Sequence, residues 1–196
     1  MMLEYGADPN ARLKTAILQH LRTQTDGVLG EGATPFMRAA KAGNLPAMRD
    51  LLDHGADPTV AQKNGTTALM IAAGLGWRDG YPIKAPFASI RDRATEHDAI
   101  AAMTLCLSLG ADINAANSDG DTALHGAAEA RGSVPIVRFL VEHGARMDAK
   151  NTLGQTPLDA AFAHRERAGI LLRTAAVAEL RTRMGLPPIS ETSRPQ

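Results

Sequence analysis

Short apolar segments separated by polar turns recur along this chain at a nearly constant spacing. Each segment opens on a threonine, at Thr34, Thr67, Thr122 and Thr156, and the first two and the last two lie 33 and 34 positions apart. A threonine hydroxyl can cap a helix, and the small and apolar residues behind it suit closely packed helices. A second apolar run follows, such as 136–141 after Thr122. The pattern predicts pairs of short helices and an all-α fold.

The second helix of each pair is predicted to end at a glycine, because glycine tolerates the left-handed conformation that follows a helix C-cap. The glycine is followed by alanine and in most units by aspartate. These glycines are Gly6, Gly55, Gly110 and Gly144.

The third unit is the most regular one and carries a recognisable motif. Its residues Thr122-Ala123-Leu124-His125-Gly126-Ala127 match the signature Thr-Pro-Leu-His-x-Ala except for alanine in place of proline. The chain therefore resembles the ankyrin repeat. The resemblance implies an all-α solenoid of paired antiparallel helices with finger loops. It also implies that the fingers and first helices form a concave surface for protein partners, and that catalysis is unusual.

The repeat register predicts one ankyrin domain over residues 1–184 and a disordered tail over 185–196. Two insertions interrupt the domain. Because the first repeat is truncated and the last repeat is a cap, the chain is interpreted as the C-terminal part of an ankyrin array. The predicted parts are a truncated repeat 1–10, a finger insertion 11–31, repeats at about 32–64, 65–117 and 118–151, and a capping repeat 152–184.

The N-terminal unit lacks its first helix and half of its second. We expect either further repeats upstream or a partner that covers the open end, since terminal repeats normally carry a polar capping face. In the first insertion, Leu13, Ile17, Leu18 and Leu21 share one helical face and predict a short helix. That helix would either cover the exposed core or bind a partner.

The second insertion, 76–96, lies between the two helices of its repeat and departs most from the repeat pattern. Aromatic and arginine side chains are the residue types that anchor interfaces. The alternative is that they fold back and fill a small satellite core. The candidates here are Trp77, Arg78, Tyr81, Phe87 and Arg91.

The composition of the chain argues against several classes of function. The formal net charge is zero, which gives no global field for nucleic acid or an acidic membrane. A single cysteine excludes an intrachain disulfide framework and a multi-cysteine metal site. No apolar run approaches the roughly 20 residues of a membrane span. The first residues, as given, do not have the pattern of a signal peptide. We therefore expect the cytoplasm as the default compartment. Because the N-terminal repeat looks truncated, export from a bacterium is the alternative.

Candidate chemical groups are better explained by the scaffold. His125 belongs to the helix-start motif and is predicted to bond backbone in a neighbouring turn, the alternatives being a metal ligand or a base. Cys106 aligns with core leucines and is predicted to be buried and inert. The stretch 117–121 faintly resembles a calcium loop, but a helix begins where further ligands would be needed, so turn chemistry is preferred.

These observations predict a non-catalytic scaffold for protein–protein interaction, with no cofactor, no metal and no catalytic residue. Protein partners are expected, and neither nucleic acid nor a membrane is. The alternative is a regulatory or accessory subunit of an enzyme, with 76–96 as a specific binding site. Besides the insertion residues, the predicted partner-binding residues are finger positions: Asn64, Ser118, Asp119, Asp121 and Asn151.

Overall fold

The computed structural model describes residues 4, 6–15, 29–75, 94–131, 133–163 and 170–187. Across these residues the protein is helical and contains no β-strand, which confirms the all-α prediction. The helices are α1 (Pro35–Lys41), α2 (Leu45–Asp53), α3 (Ala68–Ala73), α4 (Glu96–Ser108), α5 (Ala123–Gly126), α6 (Val134–Glu142), α7 (Pro157–Ala163) and α8 (Ile170–Arg183).

The helices form two layers that follow the repeat. The first helices of the pairs, α1, α3, α5 and α7, pack against one another in chain order. The second helices, α2, α4, α6 and α8, form the other layer in the same order. Each unit therefore buries its apolar face mainly against its neighbours, which is the arrangement of a solenoid.

The first helices are short and almost wholly buried. Thr34 caps α1 by accepting a hydrogen bond from the backbone N–H of Met37 at 3.4 Å, and proline occupies the first turn. Every residue of α3 is buried. Alanines such as Ala40, fully buried in α1, let these helices approach closely.

The core between the layers is mostly aliphatic, as the low aromatic content predicts, and Phe36 is its one aromatic residue that is at most 1% exposed among the described residues. It contains Leu69, Met103, Leu124 and Leu140, each no more than 1% exposed. Cys106 lies among them, 2% exposed, and burial raises the pKa of its thiol to about 12. The prediction that Cys106 is a buried core residue is confirmed, and the raised pKa favours the neutral thiol over the nucleophilic thiolate.

Helix α5 continues into a π-helical turn over Ala127–Arg131. The third unit has one residue more than the first between its threonine and its terminal glycine (122 to 144 against 34 to 55). A π-turn takes up one extra residue inside a helix while the helix continues. The unit thus keeps its place in the stack.

Helix α8 ends the described part of the array. Ala176, Val177 and Leu180 face the core and are buried. The Arg181 guanidinium, near the end of α8, donates to the backbone oxygen of Pro187 at 2.9 and 2.6 Å. These two bonds tie the first residues of the predicted tail to the helix. Residues 188–196 of that tail lie outside the described residues. In the described part of the chain, no helix has the length and apolarity needed to cross a bilayer.

Candidate interaction surface

The finger loops between units are closed by one repeated pattern, seen clearly in the third finger. The backbone N–H of Asn117 donates to the oxygen of Asp121 at 3.0 Å. The Asn117 side-chain oxygen accepts from the backbone N–H groups of Asp119 and Asp121 at 3.0 and 2.9 Å, and Gly120 sits at φ 76°. The turn chemistry predicted for this stretch is confirmed. The same backbone bond closes the other fingers: Leu13–Ala33, Gln62–Thr66 and Asn151–Gln155.

The finger bonds locate the first insertion. Its closing residues, Leu13 and Ala33, are 20 positions apart in the chain, whereas those of the second finger, 62 and 66, are four apart. The Gly32 N–H also donates to the Leu13 oxygen at 2.8 Å, as Gly65 does to its own partner. The extra residues are therefore 14–29, inserted at the finger tip. Ile17, Leu18 and Leu21, on which the predicted short helix depends, lie outside the described residues.

Neighbouring fingers are joined by single backbone hydrogen bonds. The Ser118 N–H donates to the oxygen of Asn64 at 2.7 Å, and the Thr152 N–H donates to the oxygen of Asp119 at 2.8 Å. The Lys63 N–H donates to the oxygen of Glu31 at 2.9 Å. These bonds align the four tips, at residues 30–31, 63–64, 118–119 and 152–153, in what we call the finger row.

The predicted finger residues divide into two groups. Asn64, Ser118 and Asp119 are exposed on the finger row, although the Asn64 amide oxygen also accepts from a backbone N–H within its own turn at 3.1 Å. Asp121 and Asn151 are only partly exposed and bond each other, with the Asn151 amide donating to the carboxylate at 2.9 Å. The polar groups of this second pair are therefore already used in a hydrogen bond between two repeats.

A shallow cleft of about 370 Å³ opens along the first three tips. On one side the Lys63 ammonium lies 3.0 Å from the Glu31 carboxylate, and both side chains are well exposed. Exposed ion pairs of this kind stabilise folds little and can be rearranged by a partner. The cleft is lined by Gly30, Glu31, Gln62, Lys63, Asn64 and Ser118.

Two asparagines missed by the sequence analysis clamp successive units. The Asn114 amide donates to the oxygen of Gly144 at 3.1 Å and accepts from the N–H of Arg146 at 2.8 Å. Asn10 makes the same two bonds to Gly55 and to the residue two positions beyond it, at 2.9 and 2.7 Å. Both asparagines stand four positions after the glycine of a Gly-Ala-Asp turn. That shared position is the feature of the sequence from which the clamp could have been predicted.

His125 is a structural residue. Its ring is completely buried, Nδ1 accepts from the Thr122 N–H at 3.2 Å, and Nε2 lies 3.1 Å from the oxygen of Gln155, to which it donates. The prediction that it bonds backbone in a neighbouring turn is confirmed. Within the described ranges, no group of three or more His, Cys, Asp or Glu residues is placed to hold a metal ion.

The second insertion is fixed at both ends. Leu75, the last residue before it, and Ala94, near its C-terminal end, are 7% and 8% exposed. Each lies against a glycine so tightly that a β-carbon would clash: Gly126 against Leu75 at 2.5 Å, and Gly43 against Ala94 at 2.6 Å. The partner-binding candidates Trp77, Arg78, Tyr81, Phe87 and Arg91 lie outside the described residues.

The C-terminal face carries interleaved charges. Glu179 on α8 lies 3.2 Å from the Arg138 guanidinium on α6 and 3.0 Å from that of Arg183. Arg183 also reaches Glu142 at 2.9 Å. These arginines are neutralised by carboxylates, which is typical of a solvated capping face.

Comparison with known proteins shows which family has this architecture. A family model described as ankyrin repeats (3 copies) matches residues 3–80 and 93–180. Neurogenic locus notch homolog protein 1 of Danio rerio is 31% identical over 175 residues, or 79% of this chain. The B-cell lymphoma 3 protein homolog of Mus musculus is 32% identical over 136 residues, and NF-kappa-B inhibitor cactus of Drosophila melanogaster 32% over 123. The chain spans only 7%, 25% and 24% of the lengths of these three relatives.

Proposed function

Because the chain belongs to the ankyrin repeat family, whose repeats generally mediate protein–protein interaction, we propose that it is a non-catalytic scaffold that binds a protein partner through its finger row. The observation that carries the proposal is the row itself, held in line by backbone bonds so that side chains at its tips remain available. One relative, by its name, is an inhibitor of NF-kappa-B. Binding another protein is the property we carry over.

The partner contacts are proposed at Asn64, Ser118 and Asp119. All three are exposed, and among the described residues no side chain bonds the Asp119 carboxylate. Since the backbone of Ser118 and Asp119 is hydrogen-bonded to adjacent fingers, it has little conformational entropy left to lose on binding. The cleft along the first three tips adds depth, which a flat row would lack.

The test compares a finger variant with a matched control. The variant S118R/D119K places bulk and opposite charge on the finger row without changing a core residue. The control variant S108R changes an exposed serine at the end of α4, away from the finger row. Affinity purification with quantitative mass spectrometry should recover proteins with the wild type and S108R that the finger variant loses. Equal recovery by all three chains would contradict the proposal, as would substrate turnover by the purified protein.

A second candidate function is a regulatory or accessory subunit of an enzyme that binds through residues 76–96. It is favoured by the buried ends of the insertion at Leu75 and Ala94, which hold its base in one place on the array. Replacing residues 76–93 with a short Gly/Ser linker should leave the repeats folded, because loop length costs little entropy. Loss of a bound enzyme from this variant, with binding retained by S118R/D119K, would favour the second function over the first.

A further inference from the structure

The second finger lacks a hydrogen bond that the third and fourth fingers make. In those two fingers the side-chain oxygens of Asn117 and Asn151, at the start of the turn, accept from the backbone N–H at the tip at 3.0 Å. The second finger carries Gln62 in this position. The Gln62 side-chain oxygen accepts instead from the N–H of Gly30 in the first finger, at 3.0 Å. The tip N–H of the second finger, which belongs to Asn64, is left without this acceptor.

The first finger leaves the same donor unused. Leu13, which closes that finger, has no acceptor in its side chain, and the tip N–H belongs to Glu31. In the described part of the chain, neither the Glu31 N–H nor the Asn64 N–H has a protein acceptor. Both residues line the cleft between the first three tips. The cleft therefore lies at the two fingers whose tip donors are not used within the array.

The side chains that line the cleft add further donors. The Asn64 amide oxygen accepts from the Thr66 N–H at 3.1 Å, so its NH₂ group is left to donate. The Ser118 hydroxyl is exposed. The Lys63 ammonium carries three N–H groups, and its two bonds, at 3.1 and 3.0 Å, both go to the Glu31 carboxylate. The spare hydrogen-bonding capacity at the cleft thus consists mainly of donors.

We propose that the cleft binds a carboxylate of the partner protein, from an aspartate or glutamate side chain or from a C-terminus. A carboxylate only accepts hydrogen bonds, and it supplies the oxygen that Asn117 supplies in the third finger. Bonds from N–H groups to a carboxylate are charge-assisted and roughly twice as strong as bonds between neutral groups. Capture of a carboxylate by backbone N–H groups is a recurring mode of peptide recognition. The inference rests on the proposed function, since it names the group by which a partner is held on the finger row.

The charges at the cleft are compatible with this ligand. Glu31 is the one acidic residue among the six described residues that line the cleft, and it is already paired with Lys63. Both side chains are well exposed, and exposed ion pairs contribute little to stability. A partner carboxylate can therefore share the ammonium or displace Glu31 from it at little cost. The open volume of about 370 Å³ leaves room for the carboxylate and its neighbouring atoms.

The probes are 12-residue peptides selected on the full 196-residue chain from two displayed libraries, one of which presents free C-termini. Replacing one Asp or Glu of a selected peptide by its amide, or amidating the C-terminus, should weaken binding at least about tenfold, because charge-assisted bonds are lost. An effect of the first change assigns the carboxylate to a side chain, and an effect of the second assigns it to a terminus.

Two variants of the protein test the donors. Q62N places at position 62 the residue that accepts from the tip N–H in the third and fourth fingers, so the chain itself takes up the Asn64 donor and peptide affinity should fall. K63M removes the ammonium and should weaken binding at least about tenfold. The matched control K150M removes an exposed lysine that does not line the cleft, and affinity should not change. Circular dichroism checks that all three variants are folded.

The outcomes separate this inference from the proposed function. Peptides that lose affinity for S118R/D119K, but not for Q62N or K63M and not on removal of any carboxylate, would support the finger row and overturn the cleft site. Peptides that depend on a carboxylate, Q62N and K63M but bind S118R/D119K normally would support the cleft and count against the contacts proposed at Ser118 and Asp119. Equal binding by K63M and K150M would overturn the inference. Tighter peptide binding by D26N than by the wild type would assign the cleft to a carboxylate of this chain and also overturn it.

Discussion

Gly126 and Leu75 meet without room for a side chain between them. A β-carbon on Gly126 would lie 2.5 Å from the backbone nitrogen of Leu75 and 2.6 Å from its α-carbon. Backbone cannot move aside as a flexible side chain can. The third unit therefore touches the second at the point where the chain leaves for the long insertion.

We predict that G126A destabilises the protein by about 1–3 kcal/mol through overpacking. At an ordinary helix position the same change would stabilise the protein by about 1 kcal/mol. Whether G126A lowers or raises the free energy of unfolding is therefore the test. Urea unfolding of G126A and of S108A, an exposed change expected to stay within about 0.5 kcal/mol, gives the comparison. A G126A variant as stable as the wild type would mean that the two units are not packed this closely.

His125 is predicted to be a stability residue that links the third and fourth units. H125A leaves the partly buried oxygen of Gln155 without the imidazole donor and opens a cavity, so we expect a loss of about 2–4 kcal/mol. The control H97A removes an exposed imidazole in the first turn of α4 and should change stability by less than about 0.5 kcal/mol. Thermal and urea denaturation of both variants measure the difference; equal effects would exclude the bridging role.

Leu140 and Leu153 provide a matched pair of leucines. L140A should cost about 2–5 kcal/mol, because Leu140 is completely buried and its truncation leaves a cavity. L153A should cost less than about 0.5 kcal/mol, because Leu153 is 78% exposed. Denaturation midpoints of the two variants check the repeat register directly. An unchanged midpoint for L140A would show that the register is wrong.

Glu179 is predicted to make stability depend on pH. Its hydrogen bonds to Arg138, and then those to Arg183, lower the pKa of the carboxyl below its ordinary value near 4.5. The stabilisation is complete above that ordinary value and is lost as pH falls through the lower value of the folded state. E179Q should be at most about 1 kcal/mol less stable at neutral pH, since such surface pairs are screened.

Urea midpoints of wild type, E179Q and D119N between pH 7 and pH 3 test this. The wild type and D119N should lose stability in parallel below about pH 4, and E179Q should lose less over the same interval. Three superimposable pH profiles would show that the contact between α6 and α8 does not depend on the charge of Glu179.

The sequence by itself determined the local parts of this protein. Threonine caps, glycine ends and the recurrence of about 33 residues predict the helix pairs, because caps and turns depend on residues only a few positions apart. The motif around Thr122 and His125 identified the repeat for the same reason. The turn at 117–121 was predicted correctly because the Asn117 side chain bonds its own backbone.

Only the tertiary structure decided which polar groups remain available to a partner. Asp121 and Asn151 look like Ser118 and Asp119 in the sequence, but residues 30 positions apart meet in the stack and bond each other. The clamp by Asn114 and the contact between Gly126 and Leu75 arise in the same way, from one unit lying on the next. These relationships depend on how units stack, which the pattern within one unit does not specify.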